Sequence, residues 1–237
     1  TLNHESGAAQ MEVNLLHGDP IEIADQAFLF KRTMRETALR HKMYASFMAK
    51  PMQREPGSAM HIHQSVVSLE TGENVFSNEN GEASPLFFAH IGGLQRYLPS
   101  AMSLLAPNVN SYRRLLGYDS APINVHWGYD NRTVGLRVPD ASRDARRVEN
   151  RLPGADANPY LAIAASLACG LLGMQNGLDP DAPLAGSAYG MPVELPRNLE
   201  EALQALDDSE ALKELIGERF VRAWRAVKQN EFDTFLQ

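Results

Sequence analysis

The feature that most constrains the fold is a run of 14 uncharged, mostly apolar residues from Leu161 to Met174. Asn158 and Pro159 precede it, an asparagine that suits a helix N-cap and a proline that suits the first helical position. The run is too short to span a bilayer and therefore predicts a buried helix. A core has to form around such a helix, and 237 residues suffice for one large domain or two small ones.

Helical and extended patterns surround this run without the regular order of a βαβ fold. Helices are predicted at about Glu22–His41, from Ser84 to about Tyr97, at Asn198–Leu206 and from Ser209 to about Phe232. Strands are predicted at Gln10–Leu15, Met43–Met48, Met60–Leu69, Ile123–Trp127, Thr133–Val138 and Arg147–Leu152. We therefore expect an α+β fold with a largely antiparallel sheet.

Composition and charge exclude several classes of function. The net charge is -7 and no long basic run is present, which argues against a general nucleic-acid binder. The single cysteine, Cys169, rules out an internal disulfide framework and a cysteine-rich zinc site, and it fits a reducing compartment. No signal peptide is visible, although the chain opens at Thr1 rather than at a methionine, so residues before it are expected. We expect a cytoplasmic protein that contacts neither nucleic acid nor membrane.

Two histidines stand at alternate positions of the strand predicted from Met60. Strand side chains alternate between two faces, so His61, His63 and Ser65 share one side. Two imidazoles on one side suit a metal ion or a polyanion, and Gly57 lets the backbone approach a ligand closely. A plain surface pair is the alternative, so the interpretation depends on which other residues converge on these histidines.

The strand predicted at Arg147–Leu152 carries an alternating row of charges. It places Arg147, Glu149 and Arg151 on one face and the intervening side chains on the other. The row is compatible with an ion-pair ladder on the surface. It is equally compatible with a site in which the carboxylate holds a divalent cation while the guanidiniums hold phosphate and carboxylate groups. Spacing alone leaves both interpretations open.

Two glutamates near the start of the chain are candidate partners of His61. They are Glu5 and Glu12, and for each of them a solvated surface carboxylate is the alternative. Glu12 lies on the polar face of its predicted strand. The opposite face is predicted to point to the core with Met11, Val13 and Leu15.

Arginines near predicted strand ends suggest an anionic ligand in this acidic protein. Arg132 is expected in the turn formed by residues 128–131, from which it can swing over a ligand, and Arg137 follows in the next strand. Arg114 adds to the positive charge, whereas Arg113 is interpreted as a surface residue. The glycines form no phosphate-binding loop of the Walker or dinucleotide type. No serine lies in a catalytic-triad context, so nucleophilic hydrolysis is not indicated.

The candidate residues lie in segments that share an order along the chain. The segments are His4-Glu5 with Gln10–Glu12, Phe47–Pro51, Gly57–His63, Asn110–Leu115, Ala121-Pro122, Asn131-Arg132, Arg137–Pro139, Arg147–Pro153 and Ala157–Tyr160. Together they resemble the catalytic domain of the glutamine synthetase family over nearly the whole chain. The resemblance implies one catalytic domain over residues 1–237, with a curved, largely antiparallel sheet of the half-barrel type flanked by helices.

The resemblance also implies a reaction and its cofactors. In that family ATP phosphorylates the side-chain carboxylate of glutamate, and an amine then displaces the phosphate, with two or more Mg²⁺ or Mn²⁺ ions. An oxygen-rich ligand set with one imidazole suits these metals better than zinc. By position, the resemblance assigns metal ligation to Glu5, Glu12, His61 and Glu149, ATP contacts to His63, Ser65 and Arg147, glutamate binding to Gly57, Arg114 and Arg151, and stabilisation of the transferring phosphoryl group to Arg132 and Arg137.

The chain departs from the family in its extent. The sequence lacks the family's N-terminal β-grasp domain, a glutamate pair that precedes the matching segment, and the family's last residues. In the family these parts complete the metal site and, across the subunit boundary of a ring-shaped homo-oligomer, the amine site. The resemblance therefore implies that residues 1–237 alone are inactive.

A second departure concerns the amine. Ammonia-using members carry a glutamate just before Ala121-Pro122, where this chain has Ser120, and their usual asparagine before Gly57 is Pro56 here. Segments 55–61 and 124–132 are more similar to the glutamate–polyamine ligases of the family. The smaller Ser120 leaves room for a carbon chain on the nucleophile, whereas a register slip by one residue would give the glutamate's role to Asp119. We expect a polyamine or another primary amine as the nucleophile. Ammonia, a non-catalytic relative of the family and a lone metal- or nucleotide-binding module are the alternatives.

Overall fold

The computed structural model describes residues 1–115 and 121–237, and its strands form two separate sheets. A hairpin joins β1 (Leu2–His4) to β2 (Met11–Val13), and a four-stranded sheet has the order β3 (Ile62–Gln64), β6 (Val148–Asn150), β5 (Leu136–Val138) and β4 (Trp127–Tyr129). The pairing is antiparallel throughout except between β4 and β5. The α+β class with a largely antiparallel sheet is therefore confirmed.

The α-helices of the described residues are α1 (Pro20–Arg40), α2 (Pro85–Leu105), α3 (Pro159–Asn176), α4 (Leu199–Asp207), α5 (Glu210–Ile216) and α6 (Glu218–Leu236). The first four begin at a side-chain cap, which α5 and α6 lack. Ser84 and Asn158 accept hydrogen bonds from backbone N–H groups of the first turns of α2 and α3, each with proline in the first turn. These contacts satisfy donors that a helix start leaves without a partner.

Two helix boundaries differ from the sequence prediction. Helix α2 continues through Pro99 to Leu105 instead of ending near Tyr97. A proline inside a helix costs about 3 kcal/mol, but the residues beyond it, including Met102 and Leu105, are fully buried, and this burial outweighs the lost hydrogen bond. The helix predicted from Ser209 is broken at Gly217, which has φ +104°, into α5 and α6. This backbone conformation is one that glycine adopts without strain.

Predictions about three strands were wrong. Of the strand predicted at Ile123–Trp127, only Trp127 is extended, and β4 continues to Tyr129. Residues 43–48 form no strand, and Phe47 packs edge-to-face on Phe30 of α1 at 5.9 Å between ring centroids. The apolar face of β2 does not point to a core, since Met11 is 51% exposed and Val13 and Leu15 are also exposed. The hairpin has only two strands, and none of the other described elements covers that face.

Helices α2 and α3 form the centre of the core. They approach closely at Gly93 and Gly173, where a Cβ on either glycine would overlap with the backbone of the other helix. Helix α3 also holds the sheet, because the Ser166 hydroxyl accepts hydrogen bonds from Gln64 of β3 at 2.8 Å and from Asn150 of β6 at 2.9 Å. The inner face of the sheet is therefore fixed on α3, and its other face is left for charged side chains. Among the described helices, none has an apolar stretch long enough to cross a membrane.

Candidate active site

The outer face of the four-stranded sheet gathers the charged residues that the sequence pattern singled out. Glu149 is directly opposite His63 on one neighbouring strand and Arg137 on the other. Because strand side chains alternate between faces, Arg147 and Arg151 share the side of Glu149. The structure thus brings the histidine motif, the alternating charge row and Arg137 of β5 together on one surface.

Glu149 is the centre of this surface. Its carboxylate accepts from Arg151 Nη1 at 2.6 Å on Oε1 and from Arg137 Nη1 at 2.8 Å on Oε2. His61 Nδ1 lies 3.2 Å from Oε1, and the Glu149 side chain is only 4% exposed. Burial alone would raise the pKa of Glu149, but the hydrogen bond of His61 and the guanidiniums of Arg151 and Arg137 hold it well below its usual range. The carboxylate is therefore ionised at neutral pH.

His61, in contrast to Glu149, is held in its neutral form. Burial lowers the pKa of His61, and the positive charges of Arg151 and Arg114 act in the same direction, while the hydrogen bond to Glu149 opposes them. An imidazole that stays neutral beside an ionised carboxylate is a pair of metal-ligand type, since both groups offer lone pairs without first losing a proton.

Glu5 and Glu12 form a second acidic pair on the β1–β2 hairpin. Burial, a hydrogen bond that the Glu5 carboxyl donates to Glu12, and the negative charge of Glu12 raise the pKa of Glu5. The pKa of Glu12 is lowered chiefly by a hydrogen bond from Asn14, whose Nδ2 lies 2.8 Å from Oε1. Two neighbouring carboxylates that share a proton in this way favour a cation between them. The charge of His61 also lowers the pKa of Glu12, so the two pairs lie within electrostatic reach of each other.

The candidate ligands form two separate pairs, each suited to Mg²⁺ or Mn²⁺, and they do not form one complete coordination sphere. No group of three or more histidine, cysteine, aspartate or glutamate side chains converges in residues 1–115 and 121–237. Mg²⁺ is commonly held by one or two carboxylates, with waters and substrate phosphates as the other ligands. A pair such as Glu5 with Glu12, or His61 with Glu149, matches that incomplete coordination.

The predicted ATP contacts lie at the edge of the same face. His63 and Ser65 are exposed, and Arg147 donates from Nε to His63 Nδ1 at 3.3 Å. Burial of part of the ring, together with the nearby guanidiniums, lowers the pKa of His63, while the charge of Glu149 opposes that shift. The structure brings His63 and Arg147 together, and it places Ser65 beyond the end of β3.

The two arginines predicted to stabilise a phosphoryl group differ in how they are held. Arg137 donates to Glu149 and, through Nη2, to Asp130 Oδ1 at 2.7 Å, so both ends of its guanidinium are fixed. Arg132 is exposed in a turn before β5, although residues 128 and 129 of the predicted turn belong to β4, and its charge lowers the pKa of Glu5. Arg132 therefore stands near the hairpin pair and Arg137 beside Glu149.

The predicted glutamate-binding residues form the wall behind Glu149. Arg114 is buried and donates to the carbonyl oxygens of Leu152 at 2.8 Å and Arg151 at 2.8 Å. Gly57 lies against it, since a Cβ there would be 2.7 Å from Arg114 Cγ and 2.8 Å from the Ala49 carbonyl oxygen. The predicted Ser120 lies outside the described residues.

Sequence reasoning missed two residues that organise this surface. Asp130, which has φ +46°, binds Arg137 from the turn, but a separation of seven positions gave no sign of that contact. Gln10 donates to Gly57 O at 2.9 Å and to Ser58 Oγ at 3.1 Å. The available signal for Gln10 was its position on the polar face of the strand that carries Glu12.

Comparisons with known proteins find a matching family and several relatives. The glutamine synthetase catalytic-domain family matches residues 1–237. The γ-glutamylputrescine synthetase of Escherichia coli is 43% identical over 98% of this chain and 49% of its own length. A glutamate–isopropylamine ligase from Pseudomonas is 40% identical over 97% of the chain and 52% of its own length.

More distant relatives include glutamine synthetases and a solved structure. The glutamine synthetase of Pyrococcus horikoshii is 36% identical over 99% of the chain and 54% of its own length. The ligand-free structure of GmaS superposes with a TM-score of 0.89 at 34% identity, covering 99% of this chain and 55% of the other. The chain thus spans about half the length of the curated relatives that it matches. Because the family's catalytic-domain description matches residues 1–237, this chain belongs to the glutamine synthetase family and corresponds to its catalytic domain.

Proposed function

We propose that the protein is an ATP-dependent ligase that joins an amine to the side-chain carboxylate of glutamate. The observation that carries the proposal is the ionised, buried Glu149 with His61 at 3.2 Å and the guanidiniums of Arg137 and Arg151 at 2.8 and 2.6 Å. This group combines ligands for a divalent cation with donors for phosphate and carboxylate oxygens. Membership of the glutamine synthetase family supports the assignment.

The proposed reaction has two steps. An oxygen of the glutamate side chain forms a bond to the γ-phosphorus of ATP while the bond to ADP breaks. The amine nitrogen then attacks the acyl carbon, the phosphate leaves, and the nitrogen loses a proton. Phosphoryl transfer of this kind chiefly requires positioning and charge neutralisation. When bound, Mg²⁺ or Mn²⁺ supplies neutralising charge for the phosphates.

The residues divide between the two cation pairs and the phosphates. In this proposal Glu5 and Glu12 hold one cation, and His61 with Glu149 holds the other. The other side chains act on the nucleotide, with His63, Ser65 and Arg147 as its contacts and Arg132 and Arg137 at the transferring phosphoryl group. Arg137 is held from both sides by Glu149 and Asp130, so its guanidinium needs little reorganisation when charge develops.

The glutamate site is proposed at the wall behind Glu149. Gly57 brings its backbone close to the ligand, Arg151 offers a guanidinium, and Arg114 supports both by binding the backbone at Arg151 and Leu152. A guanidinium pairs with a carboxylate through two parallel hydrogen bonds, which suits recognition of glutamate.

For the amine, we propose a polyamine such as putrescine or another primary amine. Ser120 stands where ammonia-using members have glutamate, and two relatives at 43% and 40% identity are named for putrescine and isopropylamine. Ammonia is the second candidate, because glutamine synthetases at 36% identity also match nearly the whole chain. The proposed assembly is a ring-shaped homo-oligomer with active sites between subunits, in the cytoplasm.

Phosphate release by the full-length protein tests the proposal. With ATP, Mg²⁺ and glutamate present, we expect release that requires an added amine and is faster with putrescine than with ammonium. Turnover with ammonium alone would replace the polyamine assignment by glutamine synthesis. If the protein is folded and binds metal but releases no phosphate with any of the amines, it is a non-catalytic relative.

A further inference from the structure

Gln10 joins two segments that carry different parts of the proposed site. It directly precedes β2, which bears Glu12, and its side chain is half-buried. The amide nitrogen donates to Gly57 O at 2.9 Å and to Ser58 Oγ at 3.1 Å, and Oε1 accepts from the Gly7 N–H at 3.0 Å. The amide thus uses both of its donor hydrogens and its acceptor on neighbouring segments.

The loop between Glu5 and Gln10 does not depend on this amide alone. Backbone hydrogen bonds from Glu5 N to Gln10 O at 3.0 Å and from Gln10 N to Gly7 O at 3.1 Å close it. The Ala8 N–H donates to Glu55 Oε2 at 3.1 Å, which is a second contact with the segment before Gly57. A change of the Gln10 side chain therefore leaves the loop and its strand paired.

The Gly57 peptide is confined by neighbouring groups but stays partly exposed. Arg114 Cγ and the Ala49 carbonyl leave no room for a side chain at Gly57, and the Ser58 N–H donates to Ala49 O at 2.8 Å. The Gln10 amide binds the Gly57 carbonyl and thereby fixes the orientation of that peptide. A backbone group that approaches a ligand can bind it well only when its orientation is fixed in advance.

We infer that Gln10 is a positioning residue for the glutamate site, acting through the backbone of Gly57 and the hydroxyl of Ser58. The inference rests on the proposed function, because it assigns Gly57 to the glutamate. Loss of the contact therefore weakens glutamate binding more than ATP binding, since His63 and Arg147 are held on the sheet without it.

Two substitutions in the full-length protein test the role. Gln10→Met keeps the length of the side chain but removes all three hydrogen bonds. Gln10→Glu keeps the acceptor for Gly7 and turns an oxygen toward the Gly57 carbonyl. The matched control is Gln204→Met on α4. The Gln204 amide is bonded to Asp208 at 2.8 Å and to Arg225 at 3.2 Å and contacts none of the proposed site residues through these bonds.

Steady-state kinetics and thermal unfolding are measured for all four proteins. For both Gln10 variants we expect the KM for glutamate to rise about tenfold, the size of one lost buried hydrogen bond. The KM for ATP should change less than about twofold, and the unfolding temperature should stay close to that of the control. If Gln10→Met is too unstable to assay, the KM values of Gln10→Glu for glutamate and ATP test the positioning role.

The outcomes separate this inference from the proposed function. A wild-type protein that releases no phosphate with glutamate and any amine overturns the proposed function, and the positioning role falls with it. An active wild type whose Gln10 variants match Gln204→Met overturns the positioning role alone. Equal rises in the KM for glutamate and for ATP also overturn it, because they indicate a general structural effect.

Discussion

Arg137 and Glu149 face each other across β5 and β6, and Arg137 Nη1 donates to Glu149 Oε2 over 2.8 Å. The contact joins Arg137, which is proposed to stabilise the transferring phosphoryl group, to Glu149, which is proposed to bind a divalent cation. Glu149 is nearly completely buried and also accepts from Arg151 at 2.6 Å. The Glu149 carboxylate therefore pairs with two guanidiniums of this surface at once.

Glu149→Gln should destabilise the fold strongly. The substitution leaves the buried Arg151 without its counter-charge, while Arg137 keeps only Asp130. Removing one partner of a buried pair costs about 3–5 kcal/mol. Urea denaturation measures the loss in the free energy of unfolding. Glu210→Gln is the control, because Glu210 binds Lys213 at 2.6 Å with a side chain that is 84% exposed. Its loss should be below about 1 kcal/mol, and equal losses in the two variants would show that Glu149 does not hold this surface together.

The histidines of the motif should separate by function. His61 lies 3.2 Å from Glu149, whereas His63 is exposed beside Arg147. We expect His61→Ala to weaken Mn²⁺ binding by the full-length protein at least about tenfold, and His63→Ala to leave it unchanged while raising the KM for ATP. Titration of Mn²⁺ and ATP kinetics check the pair. Unchanged Mn²⁺ affinity in His61→Ala would remove His61 from the metal site.

His90 should make the stability of the fold depend on pH. It is 1% exposed, packs on Phe76 at 5.0 Å between ring centroids, and has no hydrogen-bond partner on either nitrogen within the described part of the chain. Burial lowers the pKa of His90 to about 4. The unfolded chain, with a pKa of about 6.5, therefore binds the proton first as the pH falls.

The stabilisation from neutral His90 is complete above about pH 6.5 and is lost as the pH falls toward 4, by about 3 kcal/mol in total. His90→Leu removes the titrating group, so this part of the pH dependence should vanish. Urea unfolding between pH 7 and pH 4 measures it. An identical slope in the variant and the wild type would contradict the assignment.

Gly93→Ala should destabilise the contact between α2 and α3. The new methyl group would overlap with the backbone of Cys169 and Gly173, which cannot move as a flexible side chain can. Overpacking of this kind costs about 1–3 kcal/mol or more. Gly186→Ala is the control, because open space surrounds the Cβ position there. Thermal unfolding should show a lower midpoint for Gly93→Ala only, and matching midpoints would contradict the close helix contact.

The local signals of the sequence predicted much of this fold. Ser84 and Asn158 cap the helices that they were expected to cap, and the alternation at residues 147–151 places its charges on one face. Local patterns failed where tertiary burial decides, as at Pro99, which α2 includes because the following turns are buried. Alternation also misled at Met11, because a period of two does not reveal whether another layer covers the strand.

The candidate site shows the same division. The resemblance to the family named the residues around Glu149, but it did not predict contacts between distant segments. The hydrogen bond between Arg137 and Asp130 and the one between Gln10 and Gly57 depend on how turns and strands meet in space. Neither contact follows from spacing along the chain.

A competition between two amines tests the central claim most directly. The full-length protein is supplied with ATP, Mg²⁺, glutamate and equal concentrations of ammonium and putrescine, and the products are identified by mass spectrometry. The account predicts that γ-glutamylputrescine is the main product and that it requires both ATP and glutamate. Glutamine as the main product would contradict the polyamine assignment, and no glutamyl product at all would contradict the proposed glutamate–amine ligase.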